Sequence, residues 1–457
     1  MRGLPFRFES GQTRTILSWR PLPTPTTPSQ TLPLLFQSGL HSWRGGIVVL
    51  FPKSDGFFLT VTQLADPLYA FLFLVPIAAG LHTSFGTDIL VATVVAEWSN
   101  TLLKCSTAED GEIEVRISVG LLMEDRPFWW VRETNVYGKG DLARFPKLRQ
   151  TPLTCETGPG SPSGHVMGYG AVAYCLVVWF IKMFVKNNKK LSARTKSRVV
   201  VSVWILYAVT IVLVALSRLY VATHFPHQCL LGALGVQFDL SYSSPMASLV
   251  LTDRSQLTAL KSYQTKLCIP TPNHMICKNM CLAAVTSDGQ NLGVLVAWVL
   301  TSPQSWVCRW WSRSSRPILI LAALFTTLLS VGAYWLQRLL GVDPQWSIKL
   351  AFKWCESPDF LHVNTTPLFS LVRSCGALLG IALATPLAAR SRVRHNPAIG
   401  LVCAIFLGWA FKLATETVPT GDVKIFYICQ FLLHAVEPYL LLVAVPRLCS
   451  LGKSKLN

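Results

Sequence analysis

The feature that most constrains this chain is its series of long apolar segments. About nine windows approach the ~20 residues a helix needs to cross a bilayer. They lie at 65–84, 88–104, 165–185, 199–216, a fifth near 230–235 and 294–300, then 317–341, 368–388, 397–415 and 424–446. Composition agrees: 51% of the 457 residues are hydrophobic and only 14% are charged, against about 25% charged in soluble domains. An all-α, polytopic membrane bundle of about nine transmembrane helices is therefore expected. The net charge of +18 would suggest nucleic acid in a soluble protein. Here the basic residues gather in short loops, where they set topology instead.

Those loops orient the chain. Lys186, Lys189, Lys190, Arg194, Lys196 and Arg198 follow the third window. Arg309, Arg313 and Arg316 precede the sixth, Arg390, Arg392 and Arg394 follow the seventh, and Lys453 and Lys455 end the chain. With nine spans all four clusters share one side, which the positive-inside rule makes cytosolic. The N-terminus then lies on the other side. Lys453 and Lys455, three and five residues from the C-terminus, have the spacing of a dilysine signal for retrieval to the endoplasmic reticulum, within a cytosolic tail 453–457. Asn364-Thr365-Thr366 is a glycosylation sequon expected on the lumenal side. The thirteen cysteines show no metal-type or secreted spacing and read as buried thiols. The Pro- and Thr-rich start is not a convincing signal peptide.

Three short motifs lie at the edges of apolar windows, all facing the compartment opposite the basic loops. They are Lys104 with Arg126-Pro127, Pro162-Ser163-Gly164-His165, and Ser217-Arg218 with His224. Hydrolysis of a phosphate monoester needs charge neutralisation, an in-line nucleophile and protonation of the leaving oxygen. Arg126 and Arg218 suit phosphate oxygens through their planar, permanently charged forks, and Lys104 adds a compact charge. Gly164 lets backbone amides approach the anion, and the Ser163 hydroxyl can donate. Of the two histidines, one can attack phosphorus and the other can protonate the leaving group and then activate water. No carboxylate cluster of metal-binding type is visible, so no metal or other cofactor is expected.

These strings resemble the second and third signatures of the type 2 phosphatidic-acid phosphatase and vanadium haloperoxidase superfamily. Their flanks, Cys155-Glu156-Thr157-Gly158-Pro159-Gly160-Ser161, Asp125-Arg126-Pro127-Phe128-Trp129-Trp130-Val131 and His224-Phe225-Pro226-His227-Gln228, closely resemble the glucose-6-phosphatase catalytic subunits. Trp346–Glu356 looks most like the ubiquitously expressed subunit, the third. The resemblance runs from about Phe57 to about Arg447. It implies a membrane phosphatase core at 57–452, with His224 as nucleophile, His165 as general acid and base, and Lys104, Arg126 and Arg218 on the phosphate. It also implies hydrolysis of glucose 6-phosphate or a related sugar or polyol 6-phosphate in the endoplasmic reticulum, with the active site lumenal and a separate glucose-6-phosphate transporter alongside. In the superfamily an acidic residue four positions after the nucleophile orients it. Here Gln228 stands there, as in the glucose-6-phosphatase branch, so another acceptor must hold His224.

The chain departs from that pattern in two places. Family members place six residues between the Lys and the Arg, whereas twenty-one intervene here; removing 105–119 restores six. Removing 236–293 likewise joins Leu230–Gly235 to Val294–Leu300. Both pieces carry charges that do not suit a span. They are expected to be translated introns or gene-model errors, as is the atypical, disordered or artefactual extension 1–56; the alternative is a genuine variant with impaired catalysis. A lipid phosphatase of the same superfamily, and a transporter or channel using the basic site for anion recognition, are the rival functions.

Overall fold

A computed structural model describes residues 54–105, 124–134, 148–233, 268–271, 274–277, 300, 306–339, 343–390, 397–419 and 421–447. Residues 1–53, nearly all of 105–119, most of 236–293 and the 453–457 tail, with Lys453 and Lys455, lie outside the described residues. Within 236–293 the described part is an antiparallel pair, β1 (Cys268–Thr271) and β2 (His274–Cys277).

The rest is helical. In order come α1 (Asp55–Leu64), α2 (Pro67–Leu81), α3 (Thr83–Cys105) and the short α4 (Pro127–Glu133). Then follow α5 (Gly164–Lys186), α6 (Ala193–Tyr220), α7 (Pro226–Ala233) and α8 (Trp306–Arg313). The last are α9 (Arg316–Leu339), α10 (Trp346–Trp354), α11 (Pro367–Arg390), α12 (Pro397–Glu416) and α13 (Val423–Arg447). Helix starts are chemically marked. Ser192 accepts from the Thr195 amide to open α6, and Asp422 accepts from the amides of Lys424 and Ile425 to open α13.

Among the described residues six helices are long and apolar enough to cross a membrane, or seven if α1 and α2 form one span bent by 55°. The six answer to the windows at 165–185, 199–216, 317–341, 368–388, 397–415 and 424–446. The first window, 65–84, is helical as α2 from Pro67 to Leu81, and the bend at Ala65–Asp66 separates it from α1, which precedes the window. Asp66 accepts from the Leu68 amide at 2.9 Å and Pro67 takes the first helical position, so a new helix starts there. The window at 88–104 is a helix, α3, but Asp88, Glu97 and Lys104 lower its apolar character. The chain is thus a polytopic helical membrane protein.

Helix α3 lies at the centre, packed against α2, α5 and α11. The core joins Val75, Ile89, Leu90, Ala171, Ile381 and Leu442. Gly376 and Gly380 of α11, one turn apart, face the carbonyls of Phe431 and Ala435 on α13 so closely that any Cβ would overlap them. This is the small-residue contact that lets membrane helices meet backbone to backbone. By contrast α6, α9 and α12 leave large apolar side chains such as Ile205, Leu206, Leu328 and Phe406 outside, where lipid rather than water is the natural neighbour.

Outside the apolar slab, α4, α10 and the 148–163 segment pack through Phe128, Trp129, Trp130, Phe225 and Ala351. The expectation of scattered thiols needs a correction here. Cys155 and Cys355 form a disulfide across 200 residues of sequence, a pairing that spacing alone could not reveal.

Candidate active site

The three motifs meet at one end of the bundle. Helix α5 begins at Gly164, so Ser163, Gly164 and His165 stand at its N-terminus. There the first amides have no upstream carbonyl to bond and favour an anion. Asn100 of α3 donates to the Pro162 carbonyl at 3.2 Å and fixes this turn on α3. Lys104, one turn further along α3, brings its amine to the same place: a Cβ on Gly164 would lie 4.0 Å from Lys104 Nζ. Lys104 thus joins the site although twenty-one residues separate it from Arg126.

Arg218 closes α6 and His224 follows a tight turn. Ala222 in that turn has φ of 55°, and the amides of Val221, Ala222 and Thr223 bond the carbonyls of Ser217, Leu219 and Arg218. The reversal brings His224 back beside Arg126 and under Arg218.

Arg126 is fully buried and its fork is saturated. It donates to the carbonyls of Gly158 (2.6 Å), Pro159 (3.1 Å) and Thr223 (3.1 Å), lies 3.4 Å from His224 Nε2, and pairs with Glu156 at 2.8 Å. Arg218 donates to Thr62 Oγ1 at 2.5 Å and pairs with the same carboxylate, while its buried Nε has no partner among the described residues. Glu156 lies 3.7 Å from His165 Nδ1 and 3.9 Å from His224 Nε2. Its position in the sequence suggested no role for it, yet it is the hub of the cluster. A site with three cations and two histidines, one of them buried, needs a fixed anion, and Glu156 was the carboxylate inside the Cys155–Ser161 motif.

The acceptor for His224 is the Gly160 carbonyl, 2.8 Å from Nδ1. A carbonyl can only accept, so Nδ1 carries the proton and Nε2 keeps its lone pair on the side of Arg126 and Glu156. Gln228 braces the loop instead. It donates to Asp125 O (2.9 Å) and Glu124 (3.0 Å), accepts from the Phe225 amide, and its own carbonyl accepts from the Ser163 amide. Burial first, then the charges of Arg126 and Arg218, hold His224 well below the ordinary histidine value. Burial alone would raise Glu156, but Arg218 and Arg126 outweigh it and hold the carboxyl well below its usual range.

A cavity with about 920 Å³ of unfilled space, its open mouth included, leads to this cluster. Lys104, Arg126, Glu156, Gly164, His165 and Arg218 line one end, and Glu97 and Arg373 line it as well. Asn364, the sequon asparagine, also lines the cavity. Among the described residues no group of three or more His, Cys, Asp or Glu side chains is placed to hold a metal ion.

The PAP2 superfamily description matches residues 112–238, which hold Arg126, His165, Arg218 and His224 but not Lys104. Glucose-6-phosphatase 2 of Mus musculus is 26% identical over 88% of this chain and 94% of its own length. Glucose-6-phosphatase 3 of Homo sapiens is 29% identical over 86% and 89%. Glucose-6-phosphatase catalytic subunit 1 of Rattus norvegicus is 27% identical over 90% and 94%. No solved structure gives a significant match. The likeness to the glucose-6-phosphatases extends along most of the chain rather than the motifs alone, and with the PAP2 superfamily match it makes the chain a phosphoric monoester hydrolase similar to those enzymes.

Proposed function

We propose that this phosphatase hydrolyses glucose 6-phosphate, or a related sugar or polyol 6-phosphate, through a phosphohistidine on His224. The observation that carries the reading is the hydrogen bond from His224 Nδ1 to the Gly160 carbonyl. It leaves Nε2 as a free base among cations that attract the phosphoryl group. Lys104, the unpartnered Nε of Arg218, the Ser163 hydroxyl and the first amides of α5 receive the phosphate oxygens, and Arg126 adds buried charge. Nε2 forms a bond to phosphorus as the ester P–O bond breaks, and protonated His165 gives its proton to the departing alkoxide. Neutral His165 then takes a proton from water, whose oxygen attacks phosphorus and releases inorganic phosphate and free His224.

We place this site on the lumenal side of the endoplasmic reticulum. Helix α5 runs from the site to Lys186, and α6 returns from Arg194, Lys196 and Arg198 to Arg218. The basic end lies opposite the site, and the positive-inside rule assigns it to the cytosol. The Cys155–Cys355 disulfide suits an oxidising compartment on the site's side. Helix α13 runs parallel to α11, since Gly376 meets Phe431 and Gly380 meets Ala435. The chain therefore ends on the cytosolic side, where Lys453 and Lys455 serve as a retrieval signal. A separate transporter brings the sugar phosphate to the lumen.

Brief incubation with ³²P-labelled glucose 6-phosphate followed by an alkaline detergent quench tests the chemistry. Wild type gives an acid-labile, base-stable phosphoprotein, and His224→Ala gives neither label nor turnover. His165→Ala keeps some label while turnover falls about 10²–10⁴-fold. Vanadate inhibits and EDTA does not. Equal, mild losses in both variants, or loss of activity in EDTA, would overturn these roles.

A further inference from the structure

Seven residues before Lys104, on the same face of α3 and about 10 Å along it, stands Glu97. It forms an ion pair with Arg373 of α11, with side chains only 10% and 7% exposed. Both residues sit in apolar helices of the bundle, where an unpaired charge is costly. Charged groups at such depth face cavities and mark substrate paths rather than lipid. Both line the cavity that leads to Lys104 and His165. Thr101, one turn from Glu97, and Ser370, one turn from Arg373, line it too, as does Asn364. Arg373 Nε is buried and has no partner among the described residues. This wall sets charged and hydrogen-bonding groups beside apolar neighbours such as Pro67 and Leu68, a mix that suits a polyhydroxylated ring with its polar edges and apolar faces.

We propose that Glu97 and Arg373, with Ser370 and Asn364, form the subsite that reads the hydroxyl-bearing half of the ester and thereby set specificity for sugar over apolar phosphates. The pair would accept and donate to ring hydroxyls while the phosphate rests on Lys104 and Arg218. This inference rests on the phosphatase reading of the same cavity. A site built to bond hydroxyl groups rejects esters that lack them, because its own polar groups are then left unpaired.

The test uses the full chain purified in lipid nanodiscs, with glucose 6-phosphate and p-nitrophenyl phosphate as paired substrates. Glu97→Gln and Arg373→Gln should lower kcat/KM for glucose 6-phosphate about 10–100-fold more than for p-nitrophenyl phosphate, mainly through KM. Ser370→Ala, which leaves the ion pair intact, should shift the same ratio about threefold or more. The proposal falls if both esters lose equally as the thermal midpoint drops, which is the mark of a helix brace. It also falls if the ratio stays constant in all three variants. Wild type inert toward both esters would instead overturn the phosphatase reading beneath it.

Discussion

At the scale of single residues, Glu156 decides most. Its carboxylate faces Arg126, Arg218, His165 and His224 together. Glu156→Gln leaves two buried guanidinium groups without their counter-ion, and the expected loss of stability is about 3–5 kcal/mol, read from denaturant unfolding. Acid should act in two stages. Folded His224 stays neutral while the unfolded chain takes up a proton below the ordinary value of 6.5, so stability begins to fall there. The contribution of Glu156 is complete above 4.5 and is lost as pH drops through its lower folded-state value. Thermal midpoints from pH 8 down to about pH 2.5 should show both declines, with His224→Gln flattening the first and Glu156→Gln the second. A profile unchanged by either variant would remove both residues from the acid response. Lys104, Arg126, His165, Arg218 and His224 were legible in the sequence because charged side chains beside apolar windows stand out. Glu156 was on view but had no partner until the fold supplied two arginines. The Gly160 carbonyl was beyond reach, since every residue carries such an acceptor and only a three-dimensional path brings this one to His224.

Among elements, the apolar windows were legible because a bilayer demands about 20 such residues in a row. The break between α1 and α2 was spelled by Asp66-Pro67, a capping residue before a helix-opening proline, yet mean hydropathy smooths over such a signal. Helix α3 shows the converse: Glu97 and Lys104, which line the cavity, weaken its apolar pattern. The α11–α13 contact depends on Gly376 and Gly380. Gly380→Leu should push the helices apart, lower the thermal midpoint by several degrees, and disturb Arg373 two turns earlier on α11. A variant with wild-type stability would show that this contact is slack. In the turn after α6, Ala222 already holds a left-handed conformation. A β-branched residue there is strained further, so Ala222→Val is expected to destabilise by about 1–2 kcal/mol and to lower kcat by misplacing His224. Unfolding and turnover measured on one preparation would separate the two effects.

For the whole molecule, Lys104 reaches the site with residues 105–123 still in the chain. Removing 105–119 and 236–293 together is expected to leave vanadate-sensitive hydrolysis intact, checked in detergent-opened microsomes against the full chain. Loss of activity on removal would make those segments part of the working enzyme. The disulfide has a further effect on the molecule as a covalent object. Cys155 and Cys355 close a ring containing every residue from 156 to 354, His165, Arg218, His224 and the 236–293 segment among them. A protease that cuts once inside this ring opens it without parting the fragments, so the nicked protein keeps full size on a non-reducing gel and falls into two pieces only when dithiothreitol is added.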